Sequence, residues 1–516
     1  MRPLAFVVGS AALLLFPSIA RADEPAPDAG ASAPSSSSAP STDAPAAAPP
    51  ASNAAPSATP ETPAVSAAPA ATPVVAPTPA APVPAPKPAE ADPDTARAPK
   101  DPNKMKTGRT SNAHEDRGAF HHGTGHETED EEATHPAVLP VVGGSSDIGF
   151  MFGLAGAVSH VAPGYHPHKW FASGLFSLSV RDGAIVQQAA RLRLDFPKFM
   201  GSEWRVMPGI TYDRTINRPY FGIGNVAPLE IDPITGELPG GNRYKYQTRD
   251  LRVRVYAEHE LDGPWEVMMG LQVRYTNPEP YAGSQLAIDA AGDPKRGLAP
   301  LIGVGEHTAF IPQVGIVYDT RDEETMPREG SLHMAGVRVS VAVPTSSEVR
   351  SFAFDTTLRK YFHLGGPFIA AFRLIGDFTF GNAAYYDMIT GGSFGTFDLL
   401  GGAMGVRGVP AGRFGGLAKV AANSELRFMY PWTKILGQKF RVGHALFFDT
   451  GRSFVGYGKA DPRDGELWRL HWGAGGALYI QLNEALFRAE LAYSPDAAAV
   501  NPSFPFGFYL MDGVMF

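Results

Sequence analysis

Residues 140–516 alternate apolar and polar residues in one short run after another, with no helical-period pattern long enough to cover a sheet. In 250–258, Leu251, Val253, Val255 and Ala257 fall on one side, and Arg252, Arg254, Tyr256 and Glu258 on the other. In 265–276 the apolar side carries Trp265, Val267, Met269, Leu271, Val273 and Tyr275, against Glu266, Gln272, Arg274 and Thr276. In 368–380, Phe372, Leu374, Phe378 and Phe380 alternate with Arg373, Asp377 and Thr379. A soluble sandwich alternates too. So many strands without helical cover, however, must satisfy their edges against each other, and one closed sheet does this most economically. Charged residues in mid-strand fit a wet lumen, and Trp170, Phe171, Trp265, Tyr275 and Tyr361 fall near strand ends, where an interfacial girdle would lie. The expectation is an all-β, transmembrane antiparallel barrel. At about 9–11 residues per tilted strand the span allows roughly 12 to 18 strands, even in number.

The region before the barrel divides into three. Residues 1–22 read as a signal peptide: Arg2, an apolar run from Leu4 to Phe16, and Ala20-Arg21-Ala22 as the cleavage site. Residues 23–100 hold 20 of the 48 prolines, and with Ala and Ser they bury too little to offset chain entropy. This is a disordered linker with polyproline-II character. Residues 101–139 form a polar segment with His114, His121, His122, His126 and His135 around an acidic run. Their spacing fixes no metal geometry, so no metal is assigned. The barrel domain is expected over 140–516. There is no cysteine, which excludes disulfides and thiolate metal sites, and a net charge of −8 gives no reason to expect nucleic acid.

Two stretches invite chemistry. Gly391-Gly392-Ser393-Phe394-Gly395 satisfies G-x-S-x-G, but it lies between β patterns with no helix after it, so the motif lacks the strand-to-helix turn that activates a serine. With no P-loop, dinucleotide fingerprint or HExxH, the chain reads as a non-enzyme without catalytic residues or cofactor. The second stretch, 399–430, packs seven glycines between Gly401 and Gly416 around Val406-Arg407-Gly408. A loop this permissive needs an anchor if it is to reach one place. Arg407 is a fork suited to a carboxylate, and Glu425 and Asp449 lie downstream. From the residues alone, a surface loop with an unengaged arginine fits equally.

The ordered set of VRG in a glycine-rich loop, then NSELRF, then a strand ending FFDTG resembles the barrel of the bacterial surface antigen, or BamA/TamA, superfamily of outer-membrane proteins. RPYFGIGN at 218–225 is similar to an early-barrel signature of that family. VYDTRDEETMPREGSL at 317–332 matches its strand–turn pattern at Asp319, Arg321, Asp322, Pro327 and Gly330. The shared parity of Phe506, Phe508, Leu510, Asp512, Val514 and Phe516 resembles the C-terminal assembly signal of outer-membrane barrels, with Phe516 as its key residue.

The resemblance implies sixteen strands and an inward-folded loop in which Arg407 meets Asp449 and Glu425 on the inner wall. Val409 stands where the family usually has an aromatic residue. The resemblance also implies a place in the bacterial outer membrane with the N-terminal tail in the periplasm. The role implied is insertion or transport of protein or lipid; a passive or gated pore tethered by its Pro-rich tail is the alternative. The partners implied are outer-membrane lipid, the machinery that inserts the barrel, a polypeptide or lipid substrate, and a periplasmic or cell-wall partner for the tail. Family members that insert or secrete proteins usually carry folded periplasmic docking modules, and here the Pro/Ala segment occupies that position.

Overall fold

The computed structural model describes residues 132–516, apart from 146–147, 166–167, 232–237, 293–298, 324–325, 344–347, 436–437, 459–460, 483–484 and 513–514. Sixteen strands close into one antiparallel barrel. They are β1 (Ala133–Ser145), β2 (Gly149–Val161), β3 (Trp170–Arg181), β4 (Ala184–Asp195), β5 (Trp204–Pro219), β6 (Lys245–Glu260), β7 (Trp265–Pro280) and β8 (His307–Asp319). The second half comprises β9 (Gly330–Val343), β10 (Arg350–Gly365), β11 (Phe368–Asn382), β12 (Ala418–Met429), β13 (Gln438–Phe454), β14 (His471–Leu482), β15 (Ala485–Tyr493) and β16 (Phe506–Asp512). Each strand pairs with its sequence neighbours, and β16 returns to β1.

The burial pattern separates a membrane barrel from a soluble sandwich. On β6 the apolar Leu251, Val253 and Val255 are exposed, while Asp250, Tyr256 and Glu258 are buried. On β11, Phe372 is 47% exposed and Leu374 51%, whereas Arg373 is 1% exposed and Asp377 is 0%. A water-soluble domain would turn these faces the other way. Here the apolar set faces outward, as lipid requires, and the charged set fills the interior.

Two sequence expectations are corrected by position. Tyr361 does not join an outer girdle: it shares inward parity with Asp355 and Arg359 on β10 and is 1% exposed. The alternation that runs to Phe516 in the sequence ends in the sheet at Asp512, and Met515 and Phe516 leave the wall to lie buried in the interior. The first strand begins at Ala133, so the sheet takes up 133–139 from the polar segment. His114, His121, His122 and His126, with the signal peptide and the linker, lie outside the described residues.

The long connections share one rim: 220–244, 281–306, 383–417, 455–470 and 494–505. Those at the opposite rim, which carries Ala133 and the end of β16, are short: 162–169, 196–203, 261–264, 320–329, 366–367, 430–437 and 483–484. The long loops interlock. Tyr220, Ile223, Leu286, Ala384, Tyr385, Tyr386 and Ile389 form one apolar cluster beneath that rim, including residues of helices α1 (Gln285–Ala291) and α2 (Tyr385–Ile389). The Tyr220 hydroxyl donates to Asp289 of α1 at 2.8 Å. Burial, reinforced by that carboxylate, pushes the hydroxyl well above its ordinary range, which keeps the phenol a donor.

Candidate functional site

Loop 383–417 folds into the barrel rather than away from it. Its first half is pinned at Gly391–Gly395. The Gly392 amide donates to Asp377 Oδ2 at 3.0 Å, and the Phe394 amide donates to Gln313 Oε1 at 2.7 Å. Asp377 also holds Arg338 Nη1 at 2.9 Å and Lys419 Nζ at 3.1 Å. The Ser393 hydroxyl donates to Asp355 rather than to a histidine, so the G-x-S-x-G residues act here as loop pins.

The second half carries Arg407 to the far wall. Its guanidinium forks onto Asp449 of β13, with Nε to Oδ2 at 2.7 Å and Nη2 to Oδ1 at 3.0 Å. Its Nη1 donates to Glu425 of β12 at 2.6 Å and to Glu490 of β15 at 2.7 Å. Its backbone amide reaches Asp449 at 3.1 Å, and its guanidinium carbon lies 3.5 Å from the centre of the Phe447 ring. All four charged side chains are 0% exposed. Arg427 then binds the second oxygen of Glu425 at 2.7 Å, and the Tyr479 hydroxyl binds the same oxygen at 2.9 Å. Arg488 Nη1 approaches Glu490 at 3.5 Å. Arg407, Arg427 and Arg488 thus balance Asp449, Glu425 and Glu490, the condition under which buried charge is tolerated.

Glycine makes the approach possible on both sides. Gly408, at φ +91°, turns the chain directly after the arginine, and its amide donates to Tyr509 at 3.0 Å. On the wall, a Cβ on Gly473 of β14 would lie 1.8 Å from the Arg407 carbonyl oxygen. Gly473→Ala must therefore push the loop off the wall without touching any charged group. We expect a lowered unfolding midpoint in detergent and new cleavage of 399–417 by added protease; a variant indistinguishable from the parent would mean that the loop can lie elsewhere.

The strand–turn residues lie at the opposite end of the lumen. Arg321 forks back onto Asp319, with Nη2 to Oδ2 at 2.9 Å. Asp322 Oδ1 accepts from the amides of Arg328 at 2.9 Å and Glu329 at 3.1 Å. Gly330 has φ +104°, and Pro327 is buried in the turn. The turn presents Met326 inward, where its sulfur accepts from Arg427 Nη1 at 3.7 Å, so this motif touches the charge cluster from below. The 218–225 signature works from above: Asn225 Oδ1 accepts from the Ser453 amide at 3.1 Å, its Nδ2 donates to the Arg469 carbonyl at 2.9 Å, and Gly224 bridges to Gly415.

Glu490, Arg488 and Tyr479 belong to the cluster but do not stand out in the sequence, and Arg427 and Phe447 lie within NSELRF and FFDTG without being singled out there. A usable signal exists in Glu425-Leu426-Arg427 and Arg488-Ala489-Glu490, each placing opposite charges two residues apart on the inner face.

Residues 186–508 match the family model described as the Omp85 superfamily domain. No curated protein matches the chain. Among solved structures it is similar to BamA from Haemophilus ducreyi lacking POTRA domains 1–3, at 13% identity and a TM-score of 0.46, covering 73% of this chain and 70% of that one. CdiB from Acinetobacter baumannii matches at 12% identity and a TM-score of 0.42, covering 74% and 65% respectively. CdiB from Escherichia coli matches at 13% and 0.43, covering 73% and 62%.

Proposed function

The chain belongs to the Omp85 superfamily, and from that premise we propose that it assists insertion or transport of polypeptide or lipid at the bacterial outer membrane, using the junction of its first and last strands. The observation that carries this reading is the disparity between ladders. β1 pairs with β2 from Ala133↔Val161 to Ser145↔Gly149, whereas its described pairs with β16 are Gly144↔Leu510 and Ser145↔Tyr509 alone. Most of the β1 edge at this junction therefore has no described partner, and an open edge is a template for an incoming strand. Pro136 and Pro140 share a parity, so their missing amide donors fall on one edge of β1. The unbroken ladder to β2 places that edge on the junction side, where a lost donor costs least.

The loop-filled lumen speaks against a standing aqueous pore. The rim with short turns carries the N-terminal side of β1, which suits a periplasmic tail and external long loops. Loop anchoring by Arg407 would keep the barrel in register while the junction exchanges partners. Depletion of the protein followed by profiling of the outer-membrane proteome tests the reading. Selective loss of other barrels supports it, and altered permeability with an unchanged proteome overturns it in favour of a pore.

A further inference from the structure

On the lipid-facing wall an apolar groove runs from β9 to β13, and one end of it carries a charge. Leu358, Lys360, Phe362 and Leu364 of β10 share the outward parity. The three apolar ones are 42%, 45% and 59% exposed, so the lysine stands within the face turned to lipid. Such a charge is costly away from an interface. Among the described residues, Lys360 Nζ meets the Ser331 hydroxyl at 3.1 Å and lies 5.4 Å from the centre of the Phe362 ring, and neither carries a compensating charge. Ser331 and His333 of β9 lie directly opposite Lys360 and Leu358, and so on the same face. The Ser331 oxygen accepts from Lys360, which leaves the hydroxyl proton to be donated. His333 stacks on Tyr318 with ring centres 5.8 Å apart, and its buried Nδ1 has no hydrogen-bond partner among the described residues. With its proton on Nδ1 the ring is a third donor. One cation and two neutral donors, with no acid among them, suit an anion.

The groove suits an apolar chain attached to that anion. Lys360 is opposed by Phe372, Phe372 by Ser424 of β12, and Ser424 by Phe448 of β13. The small outward side chains of Ala422 and Ser424 make the floor, between Phe372 and Leu374 on one side and Phe448 on the other. Lys360 lies toward the short-turn end of β10, whereas Phe448 lies toward the long-loop end of β13. The groove therefore climbs through the apolar band as it crosses the strands. The four interstrand steps from β9 to β13 span about 19 Å, enough for an acyl chain that fills one leaflet, ~15 Å of a ~30 Å hydrocarbon core. We propose that this groove binds a glycerophospholipid, its phosphate on Lys360, Ser331 and His333 and one acyl chain along the β12 floor. A second copy of the chain packed here would have to bring an acid on its own lipid-facing wall, whereas every phospholipid brings its anion with it. The inference needs the membrane barrel but not the insertion reading. The orientation proposed above sets only the leaflet, which is the periplasmic one.

Native mass spectrometry of the purified full chain in an uncharged detergent tests this with phosphatidylglycerol and two part-ligands: diacylglycerol, which lacks the phosphate, and glycerol phosphate, which lacks the chains. The parent should retain phosphatidylglycerol and neither part-ligand. K360Q should weaken retention roughly tenfold, the loss of one charge-assisted hydrogen bond. A422F, which fills the floor of the groove, should weaken it by a similar factor. V255F adds comparable bulk at an exposed position of β6 and should leave retention unchanged. K360Q removes a charge from the lipid-facing wall and should fold at least as well as the parent, so the test stands if A422F does not fold. Retention by K360Q and A422F equal to that of the parent would make the lipid annular and overturn the proposal. Equal retention of diacylglycerol, or of glycerol phosphate, would overturn it as well, by removing the need for the phosphate or for the groove. A dimer of the parent that A422F disperses, with no lipid retained, would overturn it in favour of a second copy of the chain.

Discussion

Arg407→Ala is expected to cost the folded barrel about 3–5 kcal/mol, because it leaves buried carboxylates without their cation. The 0% exposure of the guanidinium and its partners decides the magnitude. The same ion pair in a wet lumen would contribute only about 0–1 kcal/mol. The three acids will not suffer equally. Glu425 keeps Arg427 and Tyr479, and Glu490 keeps Arg488, whereas both oxygens of Asp449 are committed to Arg407. Asp449 is therefore the stranded charge. Asp449→Ala should cost less than Arg407→Ala, since the arginine retains two carboxylates, and the double variant should be less destabilised than the sum of the two singles. Arg407→Lys should recover only part of the loss, because an ammonium cannot fork onto Asp449 while reaching Glu425 and Glu490. Urea unfolding in detergent and conductance in planar bilayers provide the readouts. Additive losses, or a full rescue by lysine, would show that the residues do not act as one unit.

The barrel is legible in the sequence because its wall obeys a local rule. The 250–258 alternation needs no knowledge of neighbouring strands, and the structure turns its two faces toward lipid and lumen. β1 is harder to see, because Pro136 and Pro140 read as breakers until one knows that, among the described residues, its junction edge pairs only at Gly144 and Ser145. Tyr361 shows two local rules in conflict. Its position near a strand end suggests a girdle, but its parity with Asp355 and Arg359 places it inside, and parity decides because the pleat leaves no choice of face.

Within the candidate site, Arg407, Asp449 and Glu425 stand out through an ordered motif. Arg427 lies in the same motif without being singled out there, and Glu490 lies outside it. An inward charge on any one strand resembles every other lumen charge, and only the closed barrel shows that β12, β13 and β15 converge on one arginine. Phe516 is the extreme case, since alternation cannot report that a chain has left the sheet. Across the interior, Met515 meets Arg373, 142 positions away, and Phe516 meets Arg427, 89 positions away.

The loop has a second pin, and Asp377→Ala is expected to have an effect of the same size, about 3–5 kcal/mol. This carboxylate is 0% exposed and holds Lys419 of β12, Arg338 of β9 and the Gly392 amide of the loop. Its removal strands two buried cations at once. Arg338 retains Asp355 at 3.5 Å, and Lys419 retains the carbonyls of Asp387 and Gly416 at 2.8 and 3.2 Å. Those carbonyls carry dipoles rather than a charge, so Lys419 loses the more. Asp377→Asn separates hydrogen bonding from charge: the amide oxygen can still accept from Gly392, a contribution of about 1 kcal/mol, but it cannot neutralise Lys419. The asparagine variant should therefore stay close to the alanine variant in stability. Ser393→Ala, which removes one hydroxyl donor to the Asp355 carboxylate, should cost less, about 1.5–3 kcal/mol. Stability recovered by Asp377→Asn would mean that hydrogen bonding alone seats the first half of the loop. A loss from Ser393→Ala as large as that from Asp377→Ala would move the pin to the serine. With Asp377 carrying the charge, Asp377→Ala should also weaken the Arg407 anchor, because both fix the ends of one inward loop, and the Asp377→Ala, Arg407→Ala double variant should lose less than the sum of its parts.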